Sequence, residues 1–497
     1  MEMATGLGVL FKDMKLNNLE IYERIFTSHW FLTSYNGIGF VFDFPKIGGG
    51  NYISQIIYLM ENKMCRYVFD KEEFENTAKF TANKLINNHV WRRQVYKKID
   101  YYTKNYFAQG EKLCELNLKN FSSEKLVKLI NKLIVFQHFH QTYAVLANGV
   151  VLDGRNHFSN KIREELKKHI KDSFNFEKYW TLLTQVPKMS LRQEKDFAMA
   201  KLAKHTKGLA NSKILAKLKQ LHLNYCWLDY NNMGPETSFE KFKLELVRAG
   251  KNNKKLKLNI ELKRLARKQR ALIKKLKLNK RAKFLISLAR GVIEQKAFRK
   301  DVQYHGFFCY GHLFKEIAKR KNIKNWQLLF YLFPWEVENF IKTNKITTIE
   351  LEQRRKLSVF IVSKSGLKIL TGKKALPLAK KIKNLELNSK IKEAKGQCAF
   401  EGKVIGKVKI IQTPDDIKKM QKGNILLSQA TSPDLLPAMH KAGAIVTNTG
   451  GLICHAAITS RELKIPCIVG TANATLIFKD GDMVEVDASE GVIRKIR

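Results

Sequence analysis

The stretch TNTGGLICHAAITSRELKIPCIVG, residues 447–470, decides how the C-terminal part of this chain is interpreted. It begins where an apolar segment ends and passes through two adjacent glycines, Gly450 and Gly451. A short helix is predicted over about Cys454–Leu463, and a second strand over Cys467–Val469. The predicted order is therefore strand, glycine turn, helix and strand.

His455 stands at the point where the glycine turn becomes the helix. Glycines leave room for a bulky partner, and the N–H groups and dipole of a helix N-terminus favour added negative charge. A neutral imidazole is a nucleophile near pH 7, and covalent transfer through it divides one difficult step into two. We therefore predict that His455 carries a phosphoryl group. The alternative is a histidine that only packs in the core.

Five further residues are predicted to support the phosphate loop: Thr449, Gly450, Gly451, Cys454 and Arg461. Arg461 shares the predicted helix with His455 and could steady a phosphoryl group. It could equally serve a structural role with its neighbour Glu462. Cys454 is also open to a simpler interpretation as a small packing residue. No metal site is predicted.

Residues 1–370 are predicted to be mainly α-helical, because apolar residues recur at three- and four-residue spacing. The aromatic segment Phe31–Phe44 is an exception, predicted as one or two strands or a packed loop. His138 and His140 lie two residues apart, so on a helix they point to different faces and do not share a metal. Four side chains are possible pocket groups without forming a catalytic constellation: Asp229, Arg299, His312 and Glu316.

The charge of the chain is concentrated in its N-terminal part. The sequence has 90 lysines and arginines against 45 acidic residues, yet residues 396–497 hold 13 basic and 10 acidic side chains. Residues 251–283, with 15 lysines and arginines among 33, predict an amphipathic helix with a cationic face. Such charge attracts nucleic acid, anionic membrane surfaces and phosphorylated molecules alike. A compositional bias toward lysine explains it equally well, and no nucleic-acid-binding motif is found.

Cysteine usage and hydropathy restrict the class of protein further. The seven cysteines are scattered without a CxxC pair, which favours reduced thiols and a cytoplasmic location. No run of about 18 apolar residues predicts a membrane span. The first residues also lack the apolar core of a signal peptide.

The texture of the sequence changes twice near the C-terminus. Residues 371–395 are polar and lysine-rich, which predicts a linker or hinge. Over residues 396–497, short apolar runs alternate with glycine turns, which predicts a β/α domain; GKVIGKVKII, residues 402–411, predicts a hairpin. The chain is therefore predicted to be multidomain, with a mainly α-helical N-terminal region and a C-terminal β/α domain.

Residues 396–497 resemble the phosphohistidine swivelling, or mobile, domain of phosphoenolpyruvate-utilising enzymes, among them phosphoenolpyruvate synthase, pyruvate phosphate dikinase and rifampicin phosphotransferase. The resemblance is carried by GNILLSQATSPDLLPAM, AGAIVTNTGG, CHAAITSRELKIPCIVG and DGDMVEVDASEGVI. In that family the histidine of the CHAA or SHAA motif is phosphorylated, and that position is His455. The family usually has threonine where Ile453 stands and often a cation where Leu452 stands.

The resemblance implies a phosphotransferase that works with a partner. A weaker similarity covers LARGVIEQKAFRKDVQYHGFFCYGHLFKEIAKR and NWQLLFYLFPWEVENFI, which resemble the helical region that holds the acceptor in rifampicin phosphotransferase-like proteins. No ATP-grasp domain and no phosphoenolpyruvate-binding barrel is found. The expectation is a kinase-type transfer from ATP and Mg²⁺, bound by a separate ATP-grasp subunit, through His455 to a small-molecule acceptor. A non-catalytic docking or regulatory protein and a basic nucleic-acid-binding protein are the alternatives.

Overall fold

A computed structural model gives the structure of two compact units, Met1–Ile382 and Lys383–Arg497. The boundary between them falls inside the segment 371–395. The described residues are 18–25, 28–48, 53–150, 157–171, 175–204, 212–230, 232–250, 253–343, 345–387, 393–431, 435–450, 454–471 and 473–496.

An antiparallel sheet of five strands forms one part of the first unit, in the order β1-β3-β2-β4-β5. The strands are β1 Leu19–Ile25, β2 Gln55–Glu61, β3 Met64–Asp70, β4 Leu357–Ser363 and β5 Gly366–Thr371. Strands from the two ends of the unit meet where β2 pairs with β4, with Gln55 opposite Ser363 and Glu61 opposite Leu357. The helices between β3 and β4 are therefore enclosed in one folding unit.

Helices make up most of the remaining described residues of the first unit. They are α1 Trp30–Ile38, α2 Phe44–Gly48, α3 Lys71–Asn87, α4 His89–Glu115, α5 Ser123–Ala144, α6 His157–Lys167, α7 Phe176–Thr184, α8 Leu191–Lys204, α9 Ser212–Tyr225, α10 Phe239–Gly250, α11 Leu258–Lys275, α12 Lys280–Arg320, α13 Val337–Lys342, α14 Thr348–Lys356 and α15 Leu376–Leu387. In the part of the chain that the structure describes, no helix combines the length and apolar character needed to cross a membrane.

The longest helix, α12, is the centre of this unit. It begins at Asn279, whose side chain accepts a hydrogen bond from the backbone N–H of Ala282 at 2.7 Å and so caps the first turn. It packs against α4, α5 and α6. Its face toward them is buried, so this helix positions the interior of the whole unit.

The expectation of strands or a loop for Phe31–Phe44 is wrong. The segment is α1, then a π-helical turn over Gly39–Asp43, then the start of α2. Phe31 is fully buried, and its ring packs edge-on against Tyr310 at 4.6 Å between centroids. A helix buried on all sides carries apolar residues on every face, so its sequence shows no clear 3.6-residue pattern.

The segment 371–395 contains regular structure among its described residues. A 3₁₀ turn covers Gly372–Ala375 and is followed by α15, and strand β6 covers Glu393–Lys395. The apolar side chains Leu378 and Ile382 are buried, at helical spacing. The lysines around them conceal this short apolar face in the sequence.

The second unit is built on an eight-stranded sheet with the order β6-β13-β12-β8-β9-β10-β11-β7. The further strands are β7 Gln397–Phe400, β8 Lys403–Ile410, β9 Asn424–Ser428, β10 Ala442–Thr447, β11 Cys467–Val469, β12 Met483–Asp487 and β13 Val492–Lys495. Its short helices are α16 Leu436–Met439, α17 His455–Leu463 and α18 Ala474–Ile477. Strands β8, β9, β10 and β11 are parallel, and the strands on both sides of them are antiparallel.

The hairpin predicted over residues 402–411 is wrong, because this segment is the single strand β8. It pairs with β12 on one side and with β9 on the other. Gly406 does not form a turn; it lies within the strand, where a Cβ would come within 2.8 Å of the carbonyl oxygen of Gly423. This glycine therefore serves a close backbone approach, which in a sequence is easily mistaken for a turn.

Candidate functional site

The candidate site lies where three neighbouring parallel strands end. Strands β9, β10 and β11 are adjacent, so the segments that follow them emerge at one edge of the sheet. Thr431 follows β9, His455 follows β10 and Thr471 follows β11. Ligands of parallel α/β sheets bind beyond this carboxyl edge.

Asn448 connects the three segments at this edge. Its side chain is almost completely buried; its Nδ2 donates to Gln429 Oε1 at 2.9 Å, and its Oδ1 accepts from the backbone N–H of Thr475 at 3.0 Å. The backbone N–H of Thr471 donates to the carbonyl of Thr447 at 3.0 Å. Hydrogen bonds to a buried amide hold a loop firmly, because leaving it unpaired is costly. The edge from which α17 starts is therefore well fixed.

His455 is the first residue of α17 and is half-buried. Its Nδ1 lies 3.0 Å from Thr431 Oγ1, and its Nε2 lies 3.5 Å from Thr459 Oγ1. The preceding residue, Cys454, has an extended backbone and caps the helix without a hydrogen bond from its side chain. The imidazole thus has a hydroxyl beside each ring nitrogen, with the shorter contact at Nδ1.

Sequence reasoning missed both threonines. Thr459 could have been found, because it lies four residues after His455 on one helix and therefore faces the same side. Thr431 is 24 residues away in the chain. It approaches His455 only because β9 and β10 are parallel neighbours, and no local pattern reports that pairing.

The residues predicted to support the phosphate loop have separate roles in the structure. Thr449 donates through its Oγ1 to the carbonyl of Gln429 at 2.8 Å. Gly450 has φ +114°, and a Cβ there would lie 2.8 Å from Cys454 Sγ, so this position requires glycine. Burial raises the pKa of the Cys454 thiol, which disfavours a thiolate beside His455.

Arg461 lies in the last turn of α17, away from His455 along the helix. Its Nε donates to the backbone carbonyl of Ala399 in β7 at 2.9 Å, so this bond ties α17 to the edge strand of the sheet. Gly451, Leu452 and Ile453 lie outside the described residues.

The four possible pocket groups of the first unit are not brought together. Asp229 forms ion pairs with Arg192 and, at 3.9 Å, with Lys241. Glu316 Oε1 accepts from Arg320 at 2.8 Å, and His312 is exposed. Only Arg299 contacts the buried interior, where it donates to Gln141.

The two histidines of α5 have different partners, as their spacing predicts. His138 pairs with Asp43 at 2.8 Å, whereas His140 Nδ1 lies 2.8 Å from Thr103 Oγ1. Among the residues that the structure describes, no three His, Cys, Asp or Glu side chains are grouped so that they could hold a metal ion.

Comparison with known proteins places the second unit in a family. Residues 420–491 match the family model of the PEP-utilising enzyme mobile domain. The probable phosphoenolpyruvate synthase of Archaeoglobus fulgidus is 50% identical over 99 residues, which are 20% of this chain and 13% of that protein. That of Methanothermobacter thermautotrophicus is 45% identical over 108 residues, 22% of this chain and 16% of that protein.

The phosphoenolpyruvate synthase of Pseudomonas aeruginosa is 48% identical over 103 residues, again 20% of this chain and 13% of that protein. Among solved structures, aconitase X of Thermococcus kodakaraensis aligns over 21% of this chain and 98% of its own at 18% identity. Its TM-score of 0.17 supports no inference. The C-terminal region therefore contains a PEP-utilising mobile domain, a domain of phosphotransfer enzymes, and the chain spans 13–16% of the length of these relatives.

Proposed function

We propose that this chain is a component of a phosphotransferase and that His455 carries the phosphoryl group. The observation that carries the proposal is the position of His455. It lies on the first turn of α17, inside the region that matches the mobile domain, with Nδ1 held 3.0 Å from Thr431 Oγ1. The nine residues of α17 give its N-terminus a dipole that favours a bound phosphoryl group.

The two threonines suggest which nitrogen reacts. When Nδ1 carries the proton and donates it to Thr431 Oγ1, the lone pair resides on Nε2. Nε2 then attacks the phosphorus atom; the N–P bond forms as the P–O bond to the leaving group of the donor breaks. The positive charge that develops on the ring is stabilised by Thr431 as acceptor. Thr459 Oγ1, 3.5 Å from Nε2, is positioned to donate to a phosphoryl oxygen.

The donor and the acceptor complete the proposal. ATP and Mg²⁺ are bound by a separate ATP-grasp protein, where the metal neutralises charge on the phosphates. The phosphoryl group passes from His455 to a small molecule held by the helical first unit, in the cytoplasm. Support comes from the resemblance to phosphoenolpyruvate synthases in the second unit and from the helical composition of the first.

Labelling of the histidine tests the proposal directly. The full chain is incubated with ATP labelled at the β or γ position, with and without candidate ATP-grasp proteins. A parallel arm uses phosphoramidate, which donates a phosphoryl group to histidine without a partner. We expect an acid-labile, base-stable label that His455→Ala abolishes. The matched control is His440→Ala, since His440 is exposed and lies in the same unit.

The outcome of labelling decides the matter either way. A label that survives His455→Ala, or no label on the wild-type chain in any arm, would exclude His455 as the carrier. The role of Thr431 has its own test. Thr431→Val should slow labelling about tenfold, the loss of one hydrogen bond to a charged ring, and Thr431→Ser should restore it. Phosphorus NMR should report the Nε2 isomer of phosphohistidine.

A further inference from the structure

A seam of polar side chains runs through the interior of the first unit, between α4, α5 and α12. On α12 its members recur at intervals of four, three and four residues, which places them on one face of that helix. We call the following residues the polar seam: Thr103, Tyr106, Gln137, His140, Gln141, Arg299, Gln303, Gly306 and Tyr310.

Direct contacts join the three helices along the polar seam. Gln141 donates to Gln303 Oε1 at 3.0 Å, and Arg299 donates to Gln141 Oε1 at 3.3 Å. His140, bound to α4 through Thr103, has its ring centroid 5.8 Å from that of Tyr106. The polar seam is therefore one connected cluster rather than a set of separate buried groups.

Six side-chain atoms of the polar seam are buried and have no hydrogen-bond partner in the described part of the chain. They are Tyr106 Oη, both amide atoms of Gln137, His140 Nε2, Arg299 Nε and Tyr310 Oη. Apart from Arg299, these side chains are at most 1% exposed. Folded proteins leave few such groups, because each retains its desolvation cost. So many of them in one cluster indicate that the polar seam binds another molecule.

The unpartnered groups favour an anionic ligand. Arg299 supplies a cationic N–H, and burial raises the pKa of Tyr106 and of Tyr310, so both phenols keep the proton that they can donate. Burial lowers the pKa of His140 to about 3, so its ring is neutral. None of the nine members is a carboxylate. Arg and hydroxyl donors together suit carboxylate or phosphate oxygens.

The position of Arg299 indicates how such a molecule would enter. Arg299 is half-buried, whereas Tyr310, eleven residues further along the same face, is fully buried. The cation therefore lies at the accessible end and the phenols at the enclosed end. A fully enclosed end limits the ligand to a small size.

We propose that the polar seam is a binding site for a small oxyanion, a carboxylate or a phosphate of a few heavy atoms. Arg299 attracts the charge, and Tyr106 and Tyr310 donate hydrogen bonds to it. The site stands independently of His455. Its assignment as the acceptor site of phosphotransfer rests in addition on the proposed function.

Calorimetric titration of the full chain tests the site, with pyruvate as the carboxylate probe and inorganic phosphate as the other. Tyr310→Phe removes one donor without changing volume or charge, and should weaken binding about fivefold to tenfold. Arg299→Gln should weaken it at least as much. Tyr230→Phe is the matched control: the Tyr230 hydroxyl is also buried and unpartnered, but it lies against Gly311, on another face of α12.

Each result has a defined meaning. Binding of pyruvate alone assigns a carboxylate site, and binding of phosphate alone assigns a phosphate site. No binding of either probe, or equal weakening by Tyr310→Phe and Tyr230→Phe, overturns the proposal, since a generally basic surface would bind anions without regard to a buried hydroxyl. Without a probe, Tyr310→Phe should leave the unfolding midpoint unchanged or higher, whereas a structural hydroxyl would lower it. His455→Ala should leave binding intact, which separates this test from that of phosphotransfer.

Discussion

Replacing Gly306 by alanine is expected to destabilise the first unit, whereas the same replacement at Gly291 should stabilise it. Both glycines lie inside α12, so helix propensity favours alanine at each by about 0.5–1 kcal/mol. The two positions differ in what the added Cβ would meet. At Gly291 no atom lies within 4 Å of it, and only the gain remains.

At Gly306 the added Cβ would lie 1.8 Å from Tyr106 Oη and 2.2 Å from its Cζ. Tyr106 is 1% exposed, so the ring cannot turn aside without displacing α4 or α12. Overpacking of a well-filled interior costs about 1–3 kcal/mol, and more where backbone must move. After the gain in helix propensity, we expect the free energy of unfolding to fall by roughly 2 kcal/mol.

Urea unfolding followed by circular dichroism measures both changes on the same scale. The expected order of midpoints is Gly291→Ala above wild type and Gly306→Ala well below it. Because the substitution is identical and the helix is the same, backbone entropy cannot explain a difference between the two variants. Equal midpoints would refute the close packing of Tyr106 on Gly306 and, with it, the geometry of the polar seam.

Three further predictions concern charge, pH and backbone conformation. Arg354→Met should cost about 3–5 kcal/mol, because the buried guanidinium bonds Glu336 at 2.6 and 2.9 Å; the more exposed Arg355→Met should cost less than about 1 kcal/mol in urea unfolding. Burial lowers the pKa of His305 from 6.5 to about 3, so only the unfolded chain takes up this proton between those values and stability falls as pH drops through them. His305→Phe should reduce that slope by about 1.4 kcal/mol per pH unit; an unchanged slope would contradict this, as would an equal effect of the exposed His89→Gln. Gly450→Ala should lower the melting temperature of the second unit, because its φ of +114° disfavours any side chain.

The predictability of the fold depended on whether each element leaves one face polar. The amphipathic α11, within residues 251–283, and the helices on both sides of it show the spacing that a half-exposed helix requires. Strand β2, in contrast, is buried on both faces except at Glu61, so it has no alternation, and its partner β4 lies about 300 residues away. The sheet of the first unit could not be predicted because neither signal is local.

The candidate site divides in the same way. His455, the start of α17 and strand β11 follow from adjacent glycine, helix and strand signals, and they lie where these signals place them. The contact with Thr431 depends on which strands are neighbours. The polar seam was missed for a related reason: Tyr106, Gln137 and Tyr310 come from three helices, and each alone is an ordinary polar residue in a helix.

Burial separates the histidines that pack from the one proposed to react. The chain has twelve histidines, and burial lowers the pKa of His29, His140 and His305 to about 3. These rings are neutral at pH 7, as a nucleophile must be, so neutrality alone does not identify a phosphoryl carrier. A buried ring cannot be approached by a donor, and a phosphoryl group on it would bring uncompensated negative charge into the core. His455 is half-buried at a helix N-terminus, with a hydroxyl beside Nδ1, so it combines neutrality with access and with a place for the added charge.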